Sequence, residues 1–136
     1  MEKRGQISLE YMLIVGMATL IAGFLLVMSH YYSRQVEDVI NTNQLDRIVK
    51  EVVDTSESMY YFGEPSKTTL KVYIPTGVNS VTINSQQLTF NVKTQSGDTD
   101  IFYSSSVPLQ GDLAITPGFH FVTIEAKGGY VWINST

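Results

Sequence analysis

From Tyr11 to Ser33 the chain carries no Asp, Glu, Lys or Arg. That run is longer than the ~20 residues an apolar helix needs to cross a bilayer. Only lipid or other protein can cover such a segment, so it constrains the fold more than any other stretch. One carboxylate, Glu10, stands at its very start. An acid there is costly in hydrocarbon, which makes it a functional-site candidate. Lys3 and Arg4 come just before, so the N-terminus is expected to stay cytoplasmic while the remainder is exported. A cleavable secretory signal would end in a small-x-small site after the apolar core. None of that kind stands near Ser29 to Ser33.

Within the run, Gly16, Thr19 and Gly23 are three and four residues apart and share a helix face. Small residues on one face let helices approach closely. They are also common in membrane helices generally, and no strict GxxxG is present. No proline occurs before Pro65, so helix can continue from about Ile7 to about Tyr61. Its second half is amphipathic, with a stripe that changes side. Val36, Val39 and Ile40 share one face. Leu45, Ile48, Val49, Val52, Val53, Met59 and Tyr60 point nearly the opposite way on a straight helix. Between them lies Asn41-Thr42-Asn43-Gln44, whose residues favour caps and turns. Either the helix loosens there, or it stays straight and changes partner. The second is preferred, because Arg47, Lys50, Glu51, Asp54 and Glu57 keep one outer face beyond Leu45.

Gly63-Glu64-Pro65-Ser66 ends the helix. The pattern then turns to period two. Strands are expected at Leu70–Ile74, Val81–Ile83, Leu88–Val92, Ile101–Tyr103, Leu113–Ile115, Phe119–Lys127 and Tyr130–Ile133. Gln110-Gly111-Asp112 is read as a turn, and Gly128-Gly129 as a two-residue hairpin. Six or seven short strands suggest a small antiparallel sandwich or barrel-like sheet. About seventy residues make a marginal core alone. The apolar stripe from Leu45 to Tyr60 is expected to supply the missing layer. The fold class is thus α+β: a long N-terminal helix packed on a small antiparallel β head.

The chemistry of the side chains excludes several roles. Net charge is −4, and no basic patch could engage a phosphate backbone, so nucleic acid is not an expected partner. With no cysteine there is no disulfide framework and no thiol metal site. His30 and His120 lie in different segments and cannot alone make a usual zinc site. His30 reads as an interface or satisfied-core residue and His120 as a cross-strand contact. Asp98, Asp100 and Asp112 fall near loops, but their spacing is not that of an EF-hand; solvated turn residues are the default. No Gly-rich loop joins a strand to a helix, so nucleotide binding has no support. No catalytic constellation and no cofactor are expected. Asn134-Ser135-Thr136 is a candidate N-glycosylation sequon. The eight Tyr and six Phe suit a surface-lying β domain or a tight subunit interface.

The pattern Gln6-x-Ser8-x-Glu10-Tyr11, after the short basic leader Lys3-Arg4-Gly5, resembles archaeal type IV-like pilin precursors with a class III signal peptide. Val72-Tyr73-Ile74-Pro75-Thr76-Gly77-Val78 and Thr116-Pro117-Gly118-Phe119-His120 are similar, more weakly, to the heads of such pilins. The resemblance implies cleavage between Gly5 and Gln6 by a class III prepilin peptidase. It gives Lys3, Arg4, Gly5, Gln6, Ser8, Glu10 and Tyr11 as the recognition and cleavage set. It also implies that Glu10 neutralises the new N-terminal amine of Gln6 on a neighbouring subunit. A buried charge needs such a partner. Cyclisation of an N-terminal Gln would remove that amine.

The expected division is leader 1–5, apolar membrane or filament-core helix 6–33, amphipathic continuation 34–62 and β-rich head 66–136. The expected function is a structural pilin of an adhesion pilus. It is a membrane protein as precursor and lies at the cell surface when polymerised through its N-terminal helices, with Gln6, Glu10, Gly16 and Gly23 at the assembly contacts. The alternative is a solitary membrane-anchored surface protein whose head binds a ligand or partner. A solitary anchor needs neither the acid at Glu10 nor a leader-only cleavage site.

Overall fold

Without a proline to break it, a single helix, α1, runs from Lys3 to Phe62. The computed structural model describes residues 3–136, with side chains from Ser8 onward. Met1 and Glu2 lie outside the described residues, and so do the side chains of Lys3, Arg4, Gln6 and Ile7, and with them the side-chain part of the recognition and cleavage set before Ser8. Two compact units divide the chain, the second being Asp38–Thr136.

Helix continues through Asn41–Gln44. Residues of this type cost at most ~0.7 kcal/mol each in a helix interior, which packing outweighs. Just ahead of them, the Asp38 carboxylate accepts a hydrogen bond from the Gln95 amide at 2.9 Å. Val39 and Ile40 are exposed, whereas Leu45, Ile48, Val49, Val52 and Val53 are buried. The helix ends on Gly63, whose φ of 77° is the left-handed conformation that suits glycine. Its amide donates back to the Met59 and Tyr60 carbonyls.

Seven strands follow: β1 Lys67–Ile74, β2 Val78–Asn84, β3 Gln87–Thr94, β4 Gly97–Ser104, β5 Leu109–Asp112, β6 Gly118–Lys127 and β7 Tyr130–Ser135. They form two sheets, β1-β6-β7-β5 and the meander β2-β3-β4. Strand alternation is strict where it matters: Leu88, Phe90 and Val92 of β3 point inward, as do Val122 and Ile124 of β6. These residues, with Val72, Ile74, Val131 and Ile133, join the helix stripe in one hydrophobic core. The small sheets thus gain the layer they lack.

Three expectations are corrected. The larger sheet is mixed, because β5 runs parallel to β7, from Leu109 opposite Val131 to Asp112 opposite Asn134. Gln110-Gly111-Asp112 is strand rather than turn, and Leu113–Ile115 lies outside any strand. Gly111 has φ 132°, and a Cβ there would fall directly on the Ile133 carbonyl. It is glycine because the β7 backbone comes close, not because the chain reverses. Finally, Glu57 does not stay on the outer helix face. Half-buried, its carboxylate accepts a hydrogen bond from the Ser106 amide at 2.7 Å.

Candidate functional site

In the first unit the charge-free run forms an unbroken helical surface. Leu9, Tyr11, Met12, Leu13 and Ile14 are exposed, and so are Leu20, Phe24, Leu25 and Leu26. An 18-residue window of this helix reaches a mean hydropathy of 2.4, and none of that window is buried. Full burial of a Leu, Ile, Phe or Met side chain is worth ~1.5–3 kcal/mol. A surface of this size therefore drives either insertion into lipid or association with other helices.

The polar and small residues sit on the same helix. Ser8, Glu10 and His30 are exposed. Gly16 and Gly23 each have open space where a Cβ would stand. Among the described residues no packing requires either glycine, so a steric need for them would come from a second helix. Thr19 spends its hydroxyl locally, donating to the Val15 carbonyl at 2.8 Å. That bond satisfies the one polar group of the Gly16–Gly23 face without a partner from outside.

The head brings together other groups than those singled out in sequence. Among the described residues His120 makes no side-chain hydrogen bond across strands; its Nε2–H donates to the Thr116 carbonyl at 2.8 Å, with the Thr116 hydroxyl at 3.2 Å. The histidine closes the turn that leads into its own strand. Asp98 and Asp100 stand on β4, and Asp112 stands on β5 of the other sheet. The first two carboxylates accept from amides, Asp100 from Asn91 at 2.7 Å and Asp98 from Asn79 at 3.3 Å. The Asp112 carboxylate accepts from the Leu113 amide at 3.0 Å. Asn134 is exposed on β7, opposite Thr123, and Thr136 continues the ladder by exchanging backbone bonds with Phe121.

Among the described residues the head carries shallow grooves. One of about 220 Å³, lined by Arg47, Glu51, Lys71 and Tyr73 among others, is smaller than the ~300–1,000 Å³ of small-molecule sites. Another, about 490 Å³, is an open polar dish at the Ser85-Gln86 turn. Glu125 and Lys127 form an ion pair of 2.6 Å on the outer face of β6. The bond to Lys127 holds the Glu125 carboxyl below its ordinary value, and the charges of Lys127 and Lys67 help. The same bond raises the Lys127 amine.

Sequence reasoning missed the two helix carboxylates, Asp38 and Glu57, that reach head-domain amides. Their signal was faint: each is an acid on the flank of an apolar stripe, indistinguishable by spacing from a solvated one.

Residues 3–28 match the family model described as "Class III signal peptide". A signal of this class is processed by a prepilin peptidase and inserted in the membrane as a type IV pilin-like precursor. The matched segment is the stretch that holds Glu10, Gly16 and Gly23. Neither the curated proteins nor the solved structures include a match to this chain. The long helix packed on small sheets is a type IV pilin-like architecture.

Proposed function

We propose that this chain is the structural subunit of an archaeal type IV-like adhesion pilus. A prepilin peptidase removes residues 1–5, and the mature chain begins at Gln6. Before assembly the apolar helix holds the subunit in the cytoplasmic membrane. Assembly moves that helix out of lipid and among identical helices, and the heads then line the cell-surface filament. The role is structural, with no catalytic step and no cofactor.

One observation carries this reading. The segment that matches the signal-peptide family is the segment whose apolar side chains are exposed among the described residues. Glu10 at its edge supports polymerisation over solitary anchoring. In lipid alone the acid is a cost. Beside the amine freed at Gln6 of a neighbour it becomes one half of an ion pair. The test is mass spectrometry of the natural product together with electron microscopy of the cells. A chain starting at Gln6 within filaments is expected. A chain that starts beyond Ser29, or one that keeps Met1 to Gly5, overturns the processing step.

A further inference from the structure

The head carries two outward sheet faces of unlike character, and both depart from the polar outer face usual for antiparallel sheets. On the four-stranded sheet the outer face is aromatic and carries Lys67, Lys71 and Lys127 against two acids, Glu125 and, on the edge strand β5, Asp112. Phe119 is 66% exposed, Phe121 52% and Trp132 42%. Their exposure is not a register slip, because Val122, Ile124, Val131 and Ile133 fill the core from the same strands. Tyr73 meets Phe119 edge-on at 5.0 Å, and the Lys71 amine lies over the Phe119 ring at 4.5 Å. Lys67 stands on the same face, opposite Glu125. Lys127 already engages Glu125, and among the described residues Lys71 has no carboxylate within ion-pair distance.

The outer face of the three-stranded sheet is aromatic and anionic. Ile101 points into the core, which turns Asp98, Asp100 and Phe102 outward, Phe102 being 59% exposed. The amides of Asn79 and Asn91 orient the two carboxylates. Lys93 lies opposite Asp98 in register but makes no ion pair with it among the described residues. On a chain of net charge −4, lysines gathered around aromatic rings have a natural complement elsewhere on the same protein.

We infer that the outer face of the β1-β6-β7-β5 sheet docks on the outer face of the β2-β3-β4 sheet of a second copy. Lys67 and Lys71 of one head meet Asp98 and Asp100 of the next, and Phe119 and Phe121 pack with Phe102. This inference rests on the filament reading and adds a contact between heads. Self-pairing of the aromatic face is disfavoured, because it sets lysine against lysine. Two different patches make a heterologous contact, which leaves one patch open at each end and so propagates without closing. The contact acts between copies that their helices already hold side by side, at high effective concentration.

The chain has no cysteine, so introduced thiols report without background. Full-length protein carrying both Phe102→Cys and Phe119→Cys is expressed in its native membrane and treated with a short bis-maleimide. A ladder of trimers and larger products is expected. Phe119→Cys alone is expected to give no dimer. Adding Lys71→Glu to the double variant should cut the products above dimer at least about tenfold, and further adding Asp100→Lys should restore them. A dimer from Phe119→Cys alone overturns the inference in favour of a self-paired face. Filaments without a ladder overturn the head contact and leave the filament reading intact. A ladder without filaments keeps the head contact and overturns the filament reading, and the absence of ladder and filaments together overturns both. The one tryptophan, Trp132, reports on the same face. Its emission should move to the blue in filaments and stay unmoved by anionic vesicles. A shift with vesicles alone makes this a membrane face and overturns the docking. Asn134 shares the face, so an oligosaccharide found there on filament subunits excludes it as well.

Discussion

Glu10 is an exposed acid at the start of an apolar run, and among the described residues no hydrogen bond or ion pair depends on it. Glu10→Ala should therefore leave the head folded, with an unchanged circular dichroism spectrum, and abolish filaments. Glu10→Gln keeps the shape and loses the countercharge, so it separates charge from packing. Wild-type filament yield from either variant removes the proposed ion pair. Glu125 and Lys127 make a different kind of pair, exposed and within one head. Its sign follows from the two shifts. The Glu125 share of stability is present above the ordinary carboxylate range and is lost as pH falls through its lowered value. The Lys127 share is present below the ordinary lysine range and is lost as pH rises through its raised value. The pair therefore holds throughout neutral pH. By NMR titration, Lys127→Met should bring the Glu125 carboxyl back up toward its ordinary value, and an unmoved midpoint would show that the pair does not form in solution. Gly111 concerns backbone alone. Gly111→Ala places a Cβ on the Ile133 carbonyl at a φ of 132°. Its cost should be about 3 kcal/mol or more, on the order of 10–20 °C in the thermal midpoint of the head. Gly16→Ala, with open space around it, should leave that midpoint unchanged.

The two halves of α1 were legible in sequence for the same reason: each has an unmistakable pattern of apolar residues. Charge-free length marks the first, and the stripe from Leu45 to Tyr60 marks the second. Six of the strands followed from period-two alternation, and the Gly128-Gly129 hairpin from its turn residues. The fifth strand was not legible. Leu109-Gln110-Gly111-Asp112 carries turn residues, and the backbone approach of Ile133 that demands glycine is a contact across more than twenty positions. Parallel pairing of β5 with β7 is likewise a non-local fact. Glu57 was misplaced because spacing alone cannot tell a solvated acid from one that meets a loop amide. The stripes also make a prediction at this scale. Leu45 is fully buried, so Leu45→Ala should cost ~2–5 kcal/mol. Val39 is exposed, and Val39→Ala should stay within about 0.5 kcal/mol. Thermal unfolding followed by Trp132 fluorescence separates the two. Equal effects would mean that the helix does not pack on the head as described.

At the scale of the whole molecule, two units make opposite demands on solvent. The first presents an apolar helix whose most apolar window is wholly exposed among the described residues. The second, Asp38–Thr136, closes its own core, with the stripe from Leu45 to Val53 as one wall and the two sheets as the others. Removing residues 1–33 should therefore give a soluble, folded monomer. The contact proposed between heads does not change that expectation. Without the helices, its effective concentration is lost and the two faces are left wet. Removing residues 1–53 should instead unfold or aggregate the head. That cut takes away Leu45, Ile48, Val49, Val52 and Val53, and opens the inner faces of both sheets. It also removes Asp38 and its bond to Gln95. Size-exclusion chromatography and circular dichroism on the two truncations decide the matter. A folded monomer from the shorter fragment shows that the helix is not part of the head's core. Filaments from the longer one show that the apolar helix is not the polymerising element, and the pilin reading then fails.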